Sequence, residues 1–179
     1  MKKSSKSLYD LKSIRKQAAQ HAIRNGAVTD DYPLELKKVY DYLNEALATE
    51  IMCVLRYRHH QIIAKGIDCK EVAAEFAEHA IQESEHMMMI AERISQLGGD
   101  PDFRPSSVAK NAATEYGTSK NLLTLIEEDL IAERIAIMVY RKLITWFGDK
   151  DPTTRRMLER ILADEEEHAN DLSDLLHAN

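Results

Sequence analysis

Two segments of the chain carry the same apolar stripe with a glutamate set into it. Leu43, Leu47, Glu50, Val54 and Tyr57 in the first, and Ile126, Leu130, Glu133, Ile137 and Tyr140 in the second, stand at identical spacings. Steps of three and four residues follow one face of a helix, so each segment predicts a helix whose buried seam is interrupted by one acid. A glutamate on a buried face costs on the order of several kcal/mol unless it is paired, protonated or bound to metal. Both seams therefore need partners from other helices.

Start and stop signals divide the chain into a short N-terminal helix and four long ones. Residues 7 to 24 place Leu8, Leu11, Ile14 and Ala18 at helical spacing and end near Asn25-Gly26. The first long helix follows Pro33 and is expected to reach Lys65, where Gly66 supplies the left-handed stop. Asp68 with Glu71 reads as a capping box opening the second, which Gly98-Gly99 closes. The third is expected to start at Thr118 or Ser119 and to end before Gly148, and the fourth starts at Asp151-Pro152. Between the second and third lies a linker from Asp100 to about Gly117, long enough to be a crossover or to carry a turn of helix. Short loops within two hairpins and one long connection between them predict an all-α, ferritin-like four-helix bundle. The expected organisation is a basic extension over residues 1–32 and a bundle domain over 33–179.

The second and fourth helices hold the missing partners. ESEH, Glu83 to His86, and EEEH, Glu165 to His168, each put a Glu and a His on one face at i and i+3. Ile90 and Leu172 lie four residues after those histidines, and Ile161 four before Glu165, so both pairs look inward. Glu50 and Glu83 are 33 residues apart, Glu133 and Glu165 are 32, which levels each single Glu with a Glu-x-x-His pair across its hairpin. One Glu from each of two helices and Glu-x-x-His from each of the other two is a known dinuclear ligand set of ferritin-like di-iron and di-manganese proteins. Four carboxylates balance two divalent cations, and carboxylate with imidazole suits iron, manganese or zinc. Glu85, Asp164, Glu166 and Glu167 read as solvated or at subunit contacts. His59, His60 and His79 read as surface or interface groups, with an iron path through Glu78 and His79 as the alternative. Met87, Met88 and Met89 fill gaps in core or interface. Tyr57 and Tyr140 either bond a ligand, donate an electron during oxygen chemistry, or simply pack.

Charge narrows the partners. The chain carries −6 overall, but residues 1 to 24 hold seven basic side chains against Asp10, leaving +6 there and −12 elsewhere. This argues against a dedicated nucleic-acid binder, while the basic arm is either simply solvated or makes weak contact with DNA or an acidic neighbour. No apolar run approaches the roughly 18 residues of a membrane span, and the first residues lack a secretory core, so a cytoplasmic location is expected. Cys53 and Cys69 stand roughly 20 Å apart if a helix joins them, too far for a disulfide.

LNEALATE ending at Glu50, QESEH around Glu83, DLIAE ending at Glu133 and ILADEEEH ending at His168 resemble the bacterioferritin and Dps-like branch of the ferritin superfamily over about residues 38–176. The resemblance implies that Glu50 and Glu133 are terminal ligands, that Glu83 and Glu165 bridge two irons, and that His86 and His168 bind one each. It also implies that Tyr57 is the tyrosine beside the site. The family's haem is held by a Met directly after the second-helix Glu; Ser84 stands there, so no haem is expected. Only 11 residues follow His168, too few for a fifth helix, which with the extended N-terminus resembles the 12-subunit Dps-like shells. The activity implied is a ferroxidase using O2 or H2O2 and storing or detoxifying iron in a homo-oligomer. Alternatives are a manganese catalase or rubrerythrin-like peroxidase, and a DNA-protecting shell.

Overall fold

The computed structural model describes residues 8–20, 26–66 and 69–177. Among these, six helices follow in the order α1 (Leu11–Gln20), α2 (Leu36–Ile63), α3 (Cys69–Gln96), α4 (Pro105–Asn111), α5 (Leu122–Phe147) and α6 (Pro152–His177). There is no strand among the described residues. Helices α2 with α3 and α5 with α6 form two antiparallel hairpins, and the hairpins pack into a four-helix bundle. The expected all-α architecture stands, with differences at three helix ends: α1 starts at Leu11, where Asp10 accepts from the Lys12 amide at 3.0 Å, α2 stops at Ile63 short of Lys65, and α5 starts late. Its cap is Asn121, whose side chain accepts from the Thr124 amide at 3.3 Å, so the helix begins three residues beyond Ser119. Asp68 lies outside the described residues, as do residue 7 and residues 21–24 of the expected N-terminal helix.

The long connection is both a crossover and a carrier of helix. Pro105 opens α4, where a missing amide is harmless, and Val108 buries itself against the bundle. Polar side chains of α2 hold the rest down. Asn44 accepts from the Asp102 amide at 2.8 Å and Thr49 from the Ala113 amide at 3.0 Å. At the preceding turn Gly98 has φ +84°, and a Cβ on Gly99 would sit 2.6 Å from the Tyr40 ring, whose hydroxyl donates to the Leu97 carbonyl.

The start of α6 anchors the far end of the bundle. Asp151 accepts from the Thr154 amide at 2.9 Å, from the Thr154 hydroxyl and from Tyr32, and it pairs with Arg93 of α3 at 3.1 Å. Asp151 and Arg93 are both buried, so removing one partner strands the other. Asp151→Ala is expected to lower unfolding free energy by about 3 kcal/mol or more in a denaturant titration; a loss of under about 0.5 kcal/mol would show that the network is idle.

Apolar side chains form two layers. One holds Val39, Leu43, Leu47, Ile90, Ile94, Phe147, Leu158 and Ile161. The other holds Tyr57, Val72, Phe76, Leu125, Ile126, Leu130 and Leu172. Along α2 the boundary falls between Leu47 and Cys53, and along α3 between Ala80 and Ile90. Those gaps are occupied by Glu50, Glu83 and His86, so the acids sit in mid-bundle, sealed above and below.

Candidate metal centre

All six inward-facing acids and histidines converge there, each 1 % exposed or less. They form two overlapping groups: Glu50, Glu83, His86 and Glu165 in one, and Glu83, Glu133, Glu165 and His168 in the other. Within each group one atom per residue lies within 4.8 Å of all the others. Glu83 and Glu165 belong to both, which is the arrangement expected of bridging residues. His86 Nδ1 stands 3.1 Å from Glu165, 3.5 Å from Glu50 and 3.5 Å from Glu83. His168 Nδ1 stands 3.6 Å from both Glu83 and Glu165 and 4.0 Å from Glu133.

The hydrogen bonds behind these groups determine which atoms point inward. Tyr57 of α2 donates to Glu133 Oε1 on α5, and Tyr140 of α5 donates to Glu50 Oε1 on α2. Each tyrosine follows its own helix's Glu by seven residues and serves the other helix's Glu, a crossing that antiparallel α2 and α5 require. The second oxygen of each acid, Oε2, is left facing the centre. The histidines are tied the same way. His86 Nε2 meets Asp164 Oδ2 at 3.0 Å and His168 Nε2 meets Gln82 Oε1 at 2.7 Å, so Nε2 carries a proton in each and Nδ1 is the nitrogen that faces inward, free to bind a metal once its own proton is displaced. Asp164 and Gln82 each precede the Glu of an Glu-x-x-His pair by one position. Asp164, expected to be solvated or at a subunit contact, is instead one-third exposed and bonded to a site histidine.

Buried atoms without hydrogen bonds test whether a cation fits. Glu50 Oε2, both oxygens of Glu83 and of Glu165, Glu133 Oε2, His86 Nδ1 and His168 Nδ1 make no directed hydrogen bond, and all face one space. Unsatisfied buried polar atoms are rare in folded proteins, and eight of them converging are a set of donors that could hold metal ions. Without metal the acids must share protons. Burial, with Glu83 and Glu165 nearby, holds the Glu50 carboxyl well above the usual range. Burial, with Glu165 and Glu83, does the same to Glu133. Burial would raise Glu83 too, but the neighbouring His168 and His86 outweigh it and hold this carboxyl below the usual range. Burial disfavours charge on the histidines, yet the surrounding acids overcome it, raising His168 to about 9 and His86 further. The tyrosines stay protonated, because burial and the adjacent Glu133 or Glu50 push both hydroxyls up.

Two histidines read as surface groups are buried. His60 is fully enclosed, its Nδ1 2.8 Å from Asp129, which also accepts from Arg56 at 2.7 Å. This network lies one turn from Tyr57 and Glu133 and pins α2 to α5. His79 is 1 % exposed and stacks on His168 with ring centres 4.1 Å apart. The signal for both was helical spacing: His60 lies three after Tyr57, His79 four before Glu83 and Asp129 four before Glu133. His59 is half-buried and stacks on Tyr116. Glu166 pairs with Arg141 on the surface as expected. Ser84 spends its hydroxyl on the Ala80 carbonyl at 2.7 Å. Cys53 is buried, Cys69 half-buried, and both are free.

Comparison with known proteins agrees with this architecture. A family model described as a ferritin-like domain matches residues 40–178. A nutrient stress-induced DNA-binding protein of Synechococcus is 29 % identical over 144 residues, covering 78 % of this chain and 81 % of that one. The bacterioferritin of Desulfovibrio desulfuricans is 29 % identical over 132 residues, covering 73 % and 70 %. The solved structure of a bacterioferritin-related protein from Bacteroides fragilis, described as a dodecameric thioferritin, superimposes with a TM-score of 0.78. It is 34 % identical, with 81 % of this chain and 88 % of that one covered. The chain belongs to the ferritin-like family, in its bacterioferritin and Dps-like branch.

Proposed function

We propose that the chain is a ferroxidase that oxidises Fe(II) with O2 or H2O2 and stores the product in a homo-oligomeric shell. The observation that carries this reading is the pair of buried donor groups sharing Glu83 and Glu165. Fe(II) is the substrate, two ions per chain, and Glu50, Glu83, His86, Glu133, Glu165 and His168 are the residues that would hold it. Manganese or zinc fits the same donors. Two Fe(II) supply one electron each. With two protons they reduce one H2O2 to two waters, or one O2 to H2O2, and both leave as Fe(III).

The chain's own groups do the positioning. Four carboxylates offset the charge of two divalent ions inside a low-dielectric core, and the apolar layers on either side exclude water. Asp164 and Gln82 hold the imidazoles with Nδ1 inward, while Tyr140 and Tyr57 each hold one oxygen of Glu50 and Glu133. Tyr57→Phe is expected to slow oxidation roughly 10-fold and to cost about 1 kcal/mol of stability, because Glu133 then turns freely. An unchanged rate would reduce Tyr57 to packing.

Assembly into a shell of twelve copies is supported by the dodecameric Bacteroides relative. Leu55, Ile62, Ile131 and Met138 offer exposed apolar surface on α2 and α5 for contacts between copies. Stepwise addition of Fe(II) with O2 or H2O2, following ferric absorbance and particle mass, tests the whole reading. A small oligomer retaining no more than two irons per chain would refute storage.

A DNA-protecting role is the second reading, favoured by the +6 charge of residues 1 to 24 and by the DNA-binding relative from Synechococcus. Deleting residues 1 to 24 is expected to abolish DNA retention at low salt and to flatten its salt dependence. Negligible retention by both proteins would end this reading.

A further inference from the structure

A third group of donors lies outside the dinuclear centre. Glu75 and His79 share a face of α3 at i and i+4, and Asp171 of α6 lies three residues after His168. One donor atom from each falls within 4.8 Å of the other two. His79 Nε2 is 3.2 Å from Glu75 Oε1 and 3.9 Å from Asp171 Oδ2. Nearly all of the His79 side chain is buried, yet neither ring nitrogen makes a directed hydrogen bond with a described residue. Such a ring, aimed at two acids, lacks what buried polar groups normally have.

The surroundings give the group an inner and an outer end. Glu75 and Asp171 remain 31 % and 38 % exposed at a cleft of about 360 Å³ that Asp174 and Leu175 also line. On the inner side the His79 ring lies 4.1 Å from the His168 ring with 25° between their planes. His168 Nδ1 faces the dinuclear centre. A cation entering the cleft thus meets two carboxylates in water and one imidazole within the protein, a single stacked ring away from the centre.

We infer that Glu75, His79 and Asp171 form a third divalent-cation site, which takes metal from solvent and stages it beside His168. Two carboxylates and a neutral imidazole match a charge of two, and the nitrogen-oxygen set suits Fe(II), Mn(II), Co(II) or Zn(II). The donor atoms need only small side-chain shifts to meet one ion at about 2.0–2.2 Å, with waters completing the outer face. Staging rests on the ferroxidase reading; occupancy of the site does not.

The test uses full-length, metal-free protein and redox-inert Co(II), with stoichiometry read by equilibrium dialysis and elemental analysis. Wild type is expected to bind three ions per chain. His79→Gln and Asp171→Asn are each expected to weaken one ion at least about 10-fold and to keep the other two, which shows that the bundle is intact. The double variant Glu83→Ala with Glu165→Ala is expected to keep the third. If staging operates, Asp171→Asn slows Fe(II) oxidation several-fold at sub-saturating iron and not at saturation; equal rates at both overturn staging. A wild-type stoichiometry of two, or a third ion indifferent to both His79→Gln and Asp171→Asn, overturns the site. Wild type that binds three Co(II) but oxidises no Fe(II) sinks the ferroxidase reading and leaves the third site standing.

Discussion

Glu83→Ala is expected to lower the rate of Fe(II) oxidation by at least about 100-fold. Removing a group that merely orients a metal-binding residue typically costs 10- to 100-fold in affinity or activity, and Glu83 stands in contact distance of both candidate positions at once. Both of its oxygens face the centre without another partner, so nothing nearby can replace it. Glu165→Ala is expected to behave alike, since it is the other shared member. Helix content is expected to persist, because the apolar layers on either side of the site are untouched. Glu166→Ala, which removes only the surface pair with Arg141, serves as the control and leaves the rate unchanged. Stopped-flow ferric absorbance reads all three. Rapid oxidation by Glu83→Ala would discard the centre.

The metal-free protein is expected to lose stability as pH rises above neutrality, and divalent metal to restore it. His168 and His86 hold their protons more tightly in the folded chain than in the unfolded one, for which the ordinary value is 6.5. Their contribution is therefore complete below that pH. It is lost as pH climbs to about 9 for His168 and higher still for His86. Glu50 and Glu133, whose carboxyls are raised, work in the same direction: above 4.5 the unfolded chain releases protons that the folded one retains. Within the centre Glu83 runs oppositely, adding stability above 4.5 that acid removes. For His168 the linkage between 6.5 and about 9 amounts to on the order of 3 kcal/mol. At this chain length that lowers Tm by roughly 10 °C between pH 7 and 9.

The ions compete with the protons that the folded chain holds on His86 and His168 and, at lower pH, on Glu50 and Glu133, so binding releases protons. Affinity accordingly rises with pH as the metal-free fold weakens. Zn(II) at about 100-fold over its Kd adds about 2.7 kcal/mol per ion, enough to flatten the pH profile. Calorimetric melting with and without Zn(II) across pH 6 to 9, and titration in buffers of differing ionisation enthalpy, check both statements. A Tm indifferent to pH and to Zn(II) would contradict them.

Helical periodicity by itself determined the bundle and the six converging residues. Within one helix the i, i+3 and i+4 relations are geometric constants, so Glu83 with His86, Glu165 with His168, and each seam Glu among its leucines or isoleucines were bound to share a face. Matching hairpin lengths then levelled the faces with each other. What lies between helices depends on their rotation and register, which no single periodicity contains. Only the packed bundle decided that Tyr57 serves Glu133 while Tyr140 serves Glu50, and that Asp164 and Gln82 turn the histidines inward. His60 and His79 show the same division. Their spacing put them on buried stripes, but a polar ring is stable there only beside a particular neighbour. Asp129 and His168 are brought beside those rings by the antiparallel packing of α2 with α5 and of α3 with α6.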